Sequence, residues 1–153
     1  ETVNFVIPQE TGMHYLDRVE TDWPFRIQMP RGFNVPFHCT ASGKTFMASL
    51  SKSAREKFIA GLNLKAHTHN THTTADSLLE NLKLNAKRGF ALDDEEFVEG
   101  MVAAAVPVTD NKGRFVAALA VHGPKQRLSI AQATAYVDCL HSAANRLKHA
   151  VFS

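Results

Sequence analysis

The sequence predicts an α+β domain with an antiparallel sheet and a long C-terminal helix. Alternating apolar and polar residues in the first 20 positions indicate strands, and two almost wholly apolar runs, 101–108 and 115–123, indicate a buried hairpin. Helical periodicity occurs in three segments between residues 41 and 89, the last two separated by a polar loop at 63–74, and again over 129–152. The resulting order of strands, helices, strands and helix is typical of an α+β fold.

Length and composition favour one globular domain over residues 1–153, since 44% of the residues are hydrophobic and 21% charged. The 17 basic residues are dispersed and the net charge is +2, so we expect that this chain by itself does not bind nucleic acid strongly. No apolar run approaches the about 18 residues of a membrane span, so we expect no membrane contact. The two distant cysteines, Cys39 and Cys139, fit reduced thiols in a cytoplasm. Because the chain begins at Glu1 rather than Met, we expect a longer natural protein.

The N-terminal segment predicts two strands around a turn at residues 9–12, with Val3, Phe5 and Ile7 alternating with their neighbours. Residues 25–30, "FRIQMP", predict a third short strand. Three helices follow. The first covers residues 41–50, the second ends at about Ala60, and the third runs from residue 75 to a stop at Gly89. Their predicted N-caps are Thr40, Ser51 or Ser53, and Thr74. The third helix should bury Leu78, Leu79, Leu82 and Ala86.

Gly43-Lys44-Thr45 has the ending of a phosphate-binding P-loop, but the rest of that motif is missing. The position that needs the first glycine holds His38, and no apolar strand leads into the segment. A helix N-terminus can bind an anion without a glycine-rich loop, and this is the interpretation we retain.

The C-terminal half predicts a hairpin joined by "TDNKG", then one helix from Ser129 to about Phe152. The helix carries an apolar stripe for the core or a subunit contact, made of Ile130, Ala133, Val137, Leu140, Ala144, Leu147 and Val151.

The acidic run of residues 93–99 could supply carboxylates for acid–base catalysis or for a hard metal, although such runs are more often solvated turns. Neighbouring side chains on an extended chain point to opposite faces, so one acid at its start, Asp93, can enter the core while others face water. His122 interrupts an apolar strand. If Asp93 and His122 share a pocket, each should favour the charged form of the other.

Two further groups of residues could have a chemical role. His67, His69 and His72 could bind zinc, but no Cys or acid close in sequence completes the set, which favours a surface role. Cys39 beside His38 could form a nucleophile and base, but sequence neighbours rarely face each other, which favours a buried structural cysteine.

Four collinear segments resemble the C-terminal effector-binding domain of IclR-type bacterial transcriptional regulators. The opening "ETVNFVI…HYLDRVE" resembles the family's first hairpin, and "VPFHCTASGKTFMASL" its P-x-H-x-T-x-x-G-K-A segment. "RGFALDDEEFVEGM" and "AAAVPVTDNKGRFVAALAVHGPKQRLS" resemble the two motifs that follow. The resemblance covers nearly the whole chain.

The resemblance implies a GAF-like fold, with a central antiparallel sheet between helices and a small-molecule pocket on one face. It implies a cytoplasmic regulator that forms dimers or tetramers and binds a small organic acid. DNA would be bound only by a winged helix-turn-helix domain preceding Glu1, and the chain itself would need no cofactor and no metal. The carboxylate of the effector would sit on the backbone amides that begin the helix at Ala41.

Carried over position by position, the resemblance implies a pocket that holds the effector. Its predicted residues are Ile27, Val35, Ala41, Ser42, Asp93, Ala103, Ala120 and His122. The family often has Cys at position 103 and Ser at 120 and 122, so the pocket here should be less polar. It would then suit an aromatic or dicarboxylic acid better than a very small keto acid.

Two alternatives stay open at this point. One is a small enzyme that uses Asp93 and His122 as an acid–base pair on a carboxylate substrate. The other is a metal sensor built from His38, Asp93 and His122.

Overall fold

The computed structural model of the chain describes residues 2–20 and 34–152, without the side chains of 18–20. The strands are β1 (Thr2–Gln9), β2 (Gly12–Glu20), β3 (Asn34–Val35), β4 (Ala91–Asp94), β5 (Met101–Thr109) and β6 (Phe115–Pro124). The helices are α1 (Ala41–Ala48), α2 (Lys52–Ala60), α3 (Ala75–Arg88), α4 (Ile130–Ala135) and α5 (Val137–Phe152). The predicted strand at 25–30 and the predicted pocket residue Ile27 lie outside the described residues.

The six described strands form one antiparallel sheet in the order β3-β2-β1-β6-β5-β4, which confirms the predicted fold class. Its register places Asp93 of β4 opposite Ala103 of β5, Ala103 opposite His122 of β6, and His122 opposite Thr2 of β1. Side chains directly opposite each other in a sheet point to the same face. Asp93 and His122 therefore lie on one face, on either side of Ala103.

Helices cover both faces of the sheet. On one face, α4 and α5 pack on alternate residues of β5 and β6, from Val102 and Ala104 to Leu119 and Val121. On the other face, α1 packs on β4, β5 and β6 and also contacts α3. Both faces of the predicted hairpin are therefore buried, which explains why its two strands are apolar without alternation.

Strand β1 shows where the simple alternation argument was incomplete. Val3, Phe5 and Ile7 are only partly buried, against the α4–α5 face. The fully buried positions are the intervening Asn4 and Val6, on the α1 face. Because both faces are covered, the polar Asn4 lies in the interior.

The predicted helix caps are confirmed. The side chains of Thr40, Ser51 and Thr74 each accept a hydrogen bond from a backbone amide in the first turn of α1, α2 and α3. Gly89 ends α3 with φ of 84°, a conformation that glycine adopts without the strain of a Cβ. Helix α1 ends at Ala48, two residues before its predicted end.

Three details differ from the predictions. Residues 91–94 form the edge strand β4, which is too short for its alternation to be read from sequence. The single C-terminal helix is divided at Tyr136 into α4 and α5. In α3, Asn85 is buried and Ala86 is exposed, so the buried stripe is rotated by one residue from the predicted one.

Within residues 2–20 and 34–152, no helix combines the length and apolar character that crossing a membrane requires.

We predict that Gly43→Ala destabilises the fold although alanine is the better helix former. A Cβ at position 43 would lie 2.6 Å from the Cα of Phe37 and closer still to its carbonyl oxygen, and backbone atoms cannot rotate away. We expect a loss of about 1–3 kcal/mol in the free energy of unfolding, measured by urea denaturation.

Gly61→Ala is the matched control, since a Cβ there would meet only the Phe58 carbonyl oxygen, at an ordinary 3.7 Å. Equal stabilities for the two variants would contradict the close approach of α1 to Phe37.

Candidate functional site

A small cavity lies between the N-terminus of α1 and the sheet. It is called the chamber below, and its volume is about 10 Å³, roughly the room of one water molecule. Its lining residues are Asn4, Tyr15, Thr40, Ala41, Ser42, Asp93, Met101, Ala103, Ala120 and His122.

The start of α1 offers two hydrogen-bond donors at the chamber. Thr40 is extended, and its hydroxyl accepts from the Gly43 amide (3.1 Å) and donates to the Pro36 carbonyl (2.6 Å). The Lys44 amide donates to the Thr40 carbonyl at 3.0 Å, so it is used inside the helix. The amides of Ala41 and Ser42 meet no acceptor among residues 2–20 and 34–152. Free amides in a first turn carry partial positive charge.

Alanines let α1 approach the sheet this closely. Ala41 packs directly against Ala103, Ala105 and Ala120. All four are buried, and a methyl group is the smallest side chain that still covers a strand. The floor of the chamber is therefore apolar, while its rim is polar.

Among the described residues, Asp93 is the one acidic side chain that lines the chamber, and it is 1% exposed. Its Oδ1 accepts from the Glu96 amide at 2.7 Å, and its Oδ2 has no hydrogen-bond partner among the described residues. Burial, and then the nearby Glu96 carboxylate, raise the pKa of Asp93 to about 8, against the opposing effects of the Glu96 and Phe97 amides and of Lys44. At neutral pH the Asp93 carboxyl is therefore mostly protonated and can donate a hydrogen bond.

Lys44 does not face the chamber as a free cation. Its ammonium is 2.9 Å from both carboxylate oxygens of Glu96, and both side chains are buried. This ion pair joins α1 to the turn that follows β4. Glu96 Oε2 also accepts from the Asp94 amide at 3.3 Å, which fixes the same turn.

His122 and Asn4 form the opposite wall. The Asn4 Nδ2 donates to the His122 Nδ1 at 2.8 Å, which leaves Nε2 of that ring as the nitrogen that carries a proton in the neutral form. The Asn4 Oδ1 is buried and has no partner among the described residues. Asn4 thus holds the orientation of the imidazole and adds a second buried oxygen to the site.

Comparison with known proteins identifies the fold. The family model for the C-terminal region of the bacterial transcriptional regulator IclR matches residues 1–149. The chain belongs to the IclR family.

Relatives agree with this assignment. The chain is 40% identical over 147 residues to a probable transcriptional regulator, SauR, of Cupriavidus necator, covering 96% of the chain and 58% of that protein. It is 29% identical over 147 residues to the regulator KdgR of Escherichia coli, covering 96% of the chain and 56% of that protein. The chain spans a little over half the length of these relatives.

Solved structures give the same answer. The C-terminal domain of Escherichia coli KdgR aligns with a TM-score of 0.85 at 28% identity, covering 97% of this chain and 85% of that one. The inducer-binding domain of PobR from Acinetobacter, a double mutant in complex with 3-hydroxybenzoic acid, aligns with a TM-score of 0.86 at 27% identity, covering 96% and 87%. The relatives are named as transcriptional regulators, and this IclR-type domain is not an enzyme.

The structure of this IclR-type domain brings most of the predicted pocket residues together. Ala41, Ser42, Asp93, Ala103, Ala120 and His122 all line the chamber. Val35 does not line it, because its side chain is buried in the neighbouring core with Met13 and Phe37. Sequence reasoning missed Asn4, Tyr15, Thr40 and Met101 as lining residues. The signal for Asn4 was a polar residue alternating with the buried Val6 in a strand.

The expected mutual effect of Asp93 and His122 does not govern the pKa of Asp93, on which burial and the Glu96 carboxylate act most strongly. A charged imidazole beside Asp93 would lower the pKa of the carboxyl, whereas burial raises it. The acidic residue that raises the pKa of Asp93 is Glu96, which the sequence analysis treated as part of a solvated run.

The rest of the acidic run divides as expected. Asp94 and Glu99 are exposed, while Glu95 binds Lys125 at 3.0 Å and accepts from the Gly100 amide at 2.9 Å. The hydrogen bond from Lys125 is the main reason that the pKa of Glu95 is lowered.

We predict that Asp93→Asn removes part of the pH dependence of stability. Between the unfolded pKa of 3.8 and the folded pKa of about 8, the folded state keeps a proton that the unfolded chain has lost. The free energy of unfolding should therefore fall as pH rises through this range, by at most about 1.4 kcal/mol per pH unit. Urea denaturation across the range measures the slope.

Asparagine keeps the acceptor for the Glu96 amide and places a neutral donor at the other position, so the variant should be stabilised most at the alkaline end. Asp94→Asn, at the exposed neighbour, should retain the slope of the wild-type chain. Identical slopes for wild type and Asp93→Asn would show that Asp93 is ionised when folded.

Proposed function

We propose that this domain senses a small organic acid whose carboxylate binds the amides of Ala41 and Ser42. The observation that carries the proposal is the convergence of unpartnered polar groups on one buried cavity. The two amides lack an acceptor among the described residues, and the Asp93 Oδ2 lacks a partner as well. Buried polar groups are almost always paired, so a set left unpaired around a cavity marks a ligand site.

The charges around the chamber favour an anion without requiring a lysine. Lys44 is already neutralised by Glu96, and a protonated Asp93 does not repel a carboxylate. The protonated Oδ2 can donate a hydrogen bond to the ligand, or accept one when it is ionised. The partial positive charge of the α1 N-terminus then supplies the attraction.

The apolar floor of the chamber limits which class of organic acid can bind. Ala103 and Ala120 present methyl groups, and Met101 and Tyr15 complete the wall. A cavity of about 10 Å³ is too small for an organic acid, so binding requires lining side chains to move apart. Met101 is suited to this because its unbranched side chain adapts to irregular spaces. We propose an aromatic or dicarboxylic acid, and the PobR domain in complex with 3-hydroxybenzoic acid supports this class.

At the level of the whole protein, we propose a cytoplasmic regulator with a winged helix-turn-helix domain before Glu1, through which alone it binds DNA. The relatives support this, because they are named as regulators and the chain covers only 58% and 56% of their length. The present residues 1–153 would then be one GAF-like sensing domain. Ligand binding would act by favouring one of two arrangements of the full protein.

We predict that carboxylates, but not the matching amides, raise the melting temperature of the domain. Benzoate, 3-hydroxybenzoate, succinate and pyruvate are compared with benzamide and succinamide. A ligand at a hundred times its Kd adds about 2.7 kcal/mol of stability. For a domain of this size that corresponds to a rise of about 5–10 °C in Tm.

Ala120→Val fills the chamber and should abolish the shift, whereas Ala118→Val, one position further along the same face of β6 and outside the chamber, should keep it. Equal shifts with amides would overturn the carboxylate proposal. Binding of only two- or three-carbon acids would overturn the assignment to larger acids alone.

We also propose that the domain forms dimers or tetramers, and that the surface around Leu16 takes part. Leu16 is 48% exposed and lines an apolar groove with Val3, Phe5, Leu119 and Leu147. We predict that Leu16→Glu lowers the oligomeric state measured by sedimentation velocity. Leu84→Glu is the control because Leu84 is 49% exposed on α3, away from the groove. An oligomer that survives Leu16→Glu would rule this surface out.

A further inference from the structure

Two segments that are distant in sequence meet beside the chamber. The residues before α1 contact the loop between α2 and α3, where the His38 Nε2 lies 2.8 Å from the Lys65 carbonyl oxygen. The rings of His38 and His67 are 5.8 Å apart, and the His67 ring also packs edge-on against Phe97 at 5.3 Å. A ligating nitrogen of each of these histidines and the Cys39 Sγ all lie within 4.8 Å of one another.

We propose that His38, Cys39 and His67 bind a Zn²⁺ ion. A thiolate and two imidazoles are a ligand set that zinc prefers, and three protein ligands leave the fourth tetrahedral position for water. His67 is exposed, so that position can face solvent. The Cys39 thiol gives its proton to solvent when the Zn–S bond forms. The proposal does not depend on the organic-acid function.

The hydrogen bond of His38 prepares that ring for metal binding. A carbonyl oxygen can only accept, so the His38 Nε2 carries the proton and Nδ1 keeps its lone pair. Metal-binding histidines usually donate their other ring N–H to such an oxygen, which fixes the tautomer and the ring orientation. The Lys65 carbonyl would have this role here.

The distances require a modest closure. Tetrahedral zinc with bonds of about 2.0–2.3 Å places its ligand atoms roughly 3.3–3.6 Å apart. His38 and Cys39 are buried and fixed, whereas His67 is on an exposed loop and can rotate inward. Burial, and then Asp93 and Glu96, raise the pKa of the Cys39 thiol, so the thiolate forms only where a metal takes the place of the proton.

The other candidate ligands are placed differently. His72 Nδ1 is 2.7 Å from the Ser77 hydroxyl, and its Nε2 is 3.9 Å from Glu96. Among the residues that the structure describes, the group within ligating reach contains neither Asp93 nor His122, so it is not the set His38, Asp93 and His122 considered from the sequence. The zinc set combines one histidine of "HTHNTH" with the two residues His38 and Cys39.

The test uses the tag-free chain after metal removal. Zn²⁺ is titrated in competition with a chromophoric chelator, and Co²⁺ is added separately to look for a thiolate-to-cobalt charge-transfer band. We expect one Zn²⁺ per chain and a cobalt band in the wild type. His67→Ala should weaken zinc binding by at least about tenfold, and Cys39→Ser should abolish the band.

His69→Ala and Cys139→Ser are the matched controls, since both residues are exposed and outside the group. They should bind as the wild type does. The His67→Ala variant changes an exposed side chain, so it decides the matter even if Cys39→Ser fails to fold. Unchanged zinc affinity in His67→Ala, sub-stoichiometric binding, or a missing cobalt band in the wild type would each overturn the proposal.

Discussion

The buried ion pair between Lys44 and Glu96 sets the electrostatics of the whole site. Both side chains are out of water, so removal of either would leave an uncompensated charge in the interior. The pair also fixes geometry, because it joins the first turn of α1 to the turn after β4. Asp93 accepts from the amide of Glu96 and is held beside this pair. Three ionisable groups thus balance to zero net charge only when Asp93 keeps its proton.

This balance explains how a site with little free charge can select an anion. A lysine free to bind a carboxylate would have attracted any anion, phosphate included, from solvent. Here the cation is already paired, and attraction comes from oriented amides that act only at short range and in one direction. Selection then depends on fit between the amides and the alanine floor. The same arrangement explains why Gly43-Lys44-Thr45 resembles a nucleotide motif without being one: the glycine permits close packing on Phe37, and the lysine is a structural partner.

The sequence predicted those features of the structure whose cause lies within a few neighbouring residues. The caps at Thr40, Ser51 and Thr74 and the left-handed Gly89 are signals contained within a few residues, and the structure has each of them. Strand β4 escaped because it is only four residues long, and the break at Tyr136 escaped because one continuous apolar stripe runs through both helices. Asn4 was missed because a single strand does not show that both its faces will be covered. The contact of His67 with His38 links residues 29 positions apart, and no pattern along the chain encodes it.

The chamber and the zinc group share one piece of backbone. Cys39 immediately precedes Thr40, whose side chain caps α1 and so positions the amides of Ala41 and Ser42. A metal bound to His38 and Cys39 would order the backbone that leads directly into Ala41 and Ser42. The amides of those two residues are the groups that the organic acid is proposed to bind. Binding free energies are linked. If the metal increased the affinity for the acid, the acid would therefore increase the affinity for the metal by the same factor. A segment that must be ordered for both ligands needs to be ordered only once, which makes the expected coupling positive.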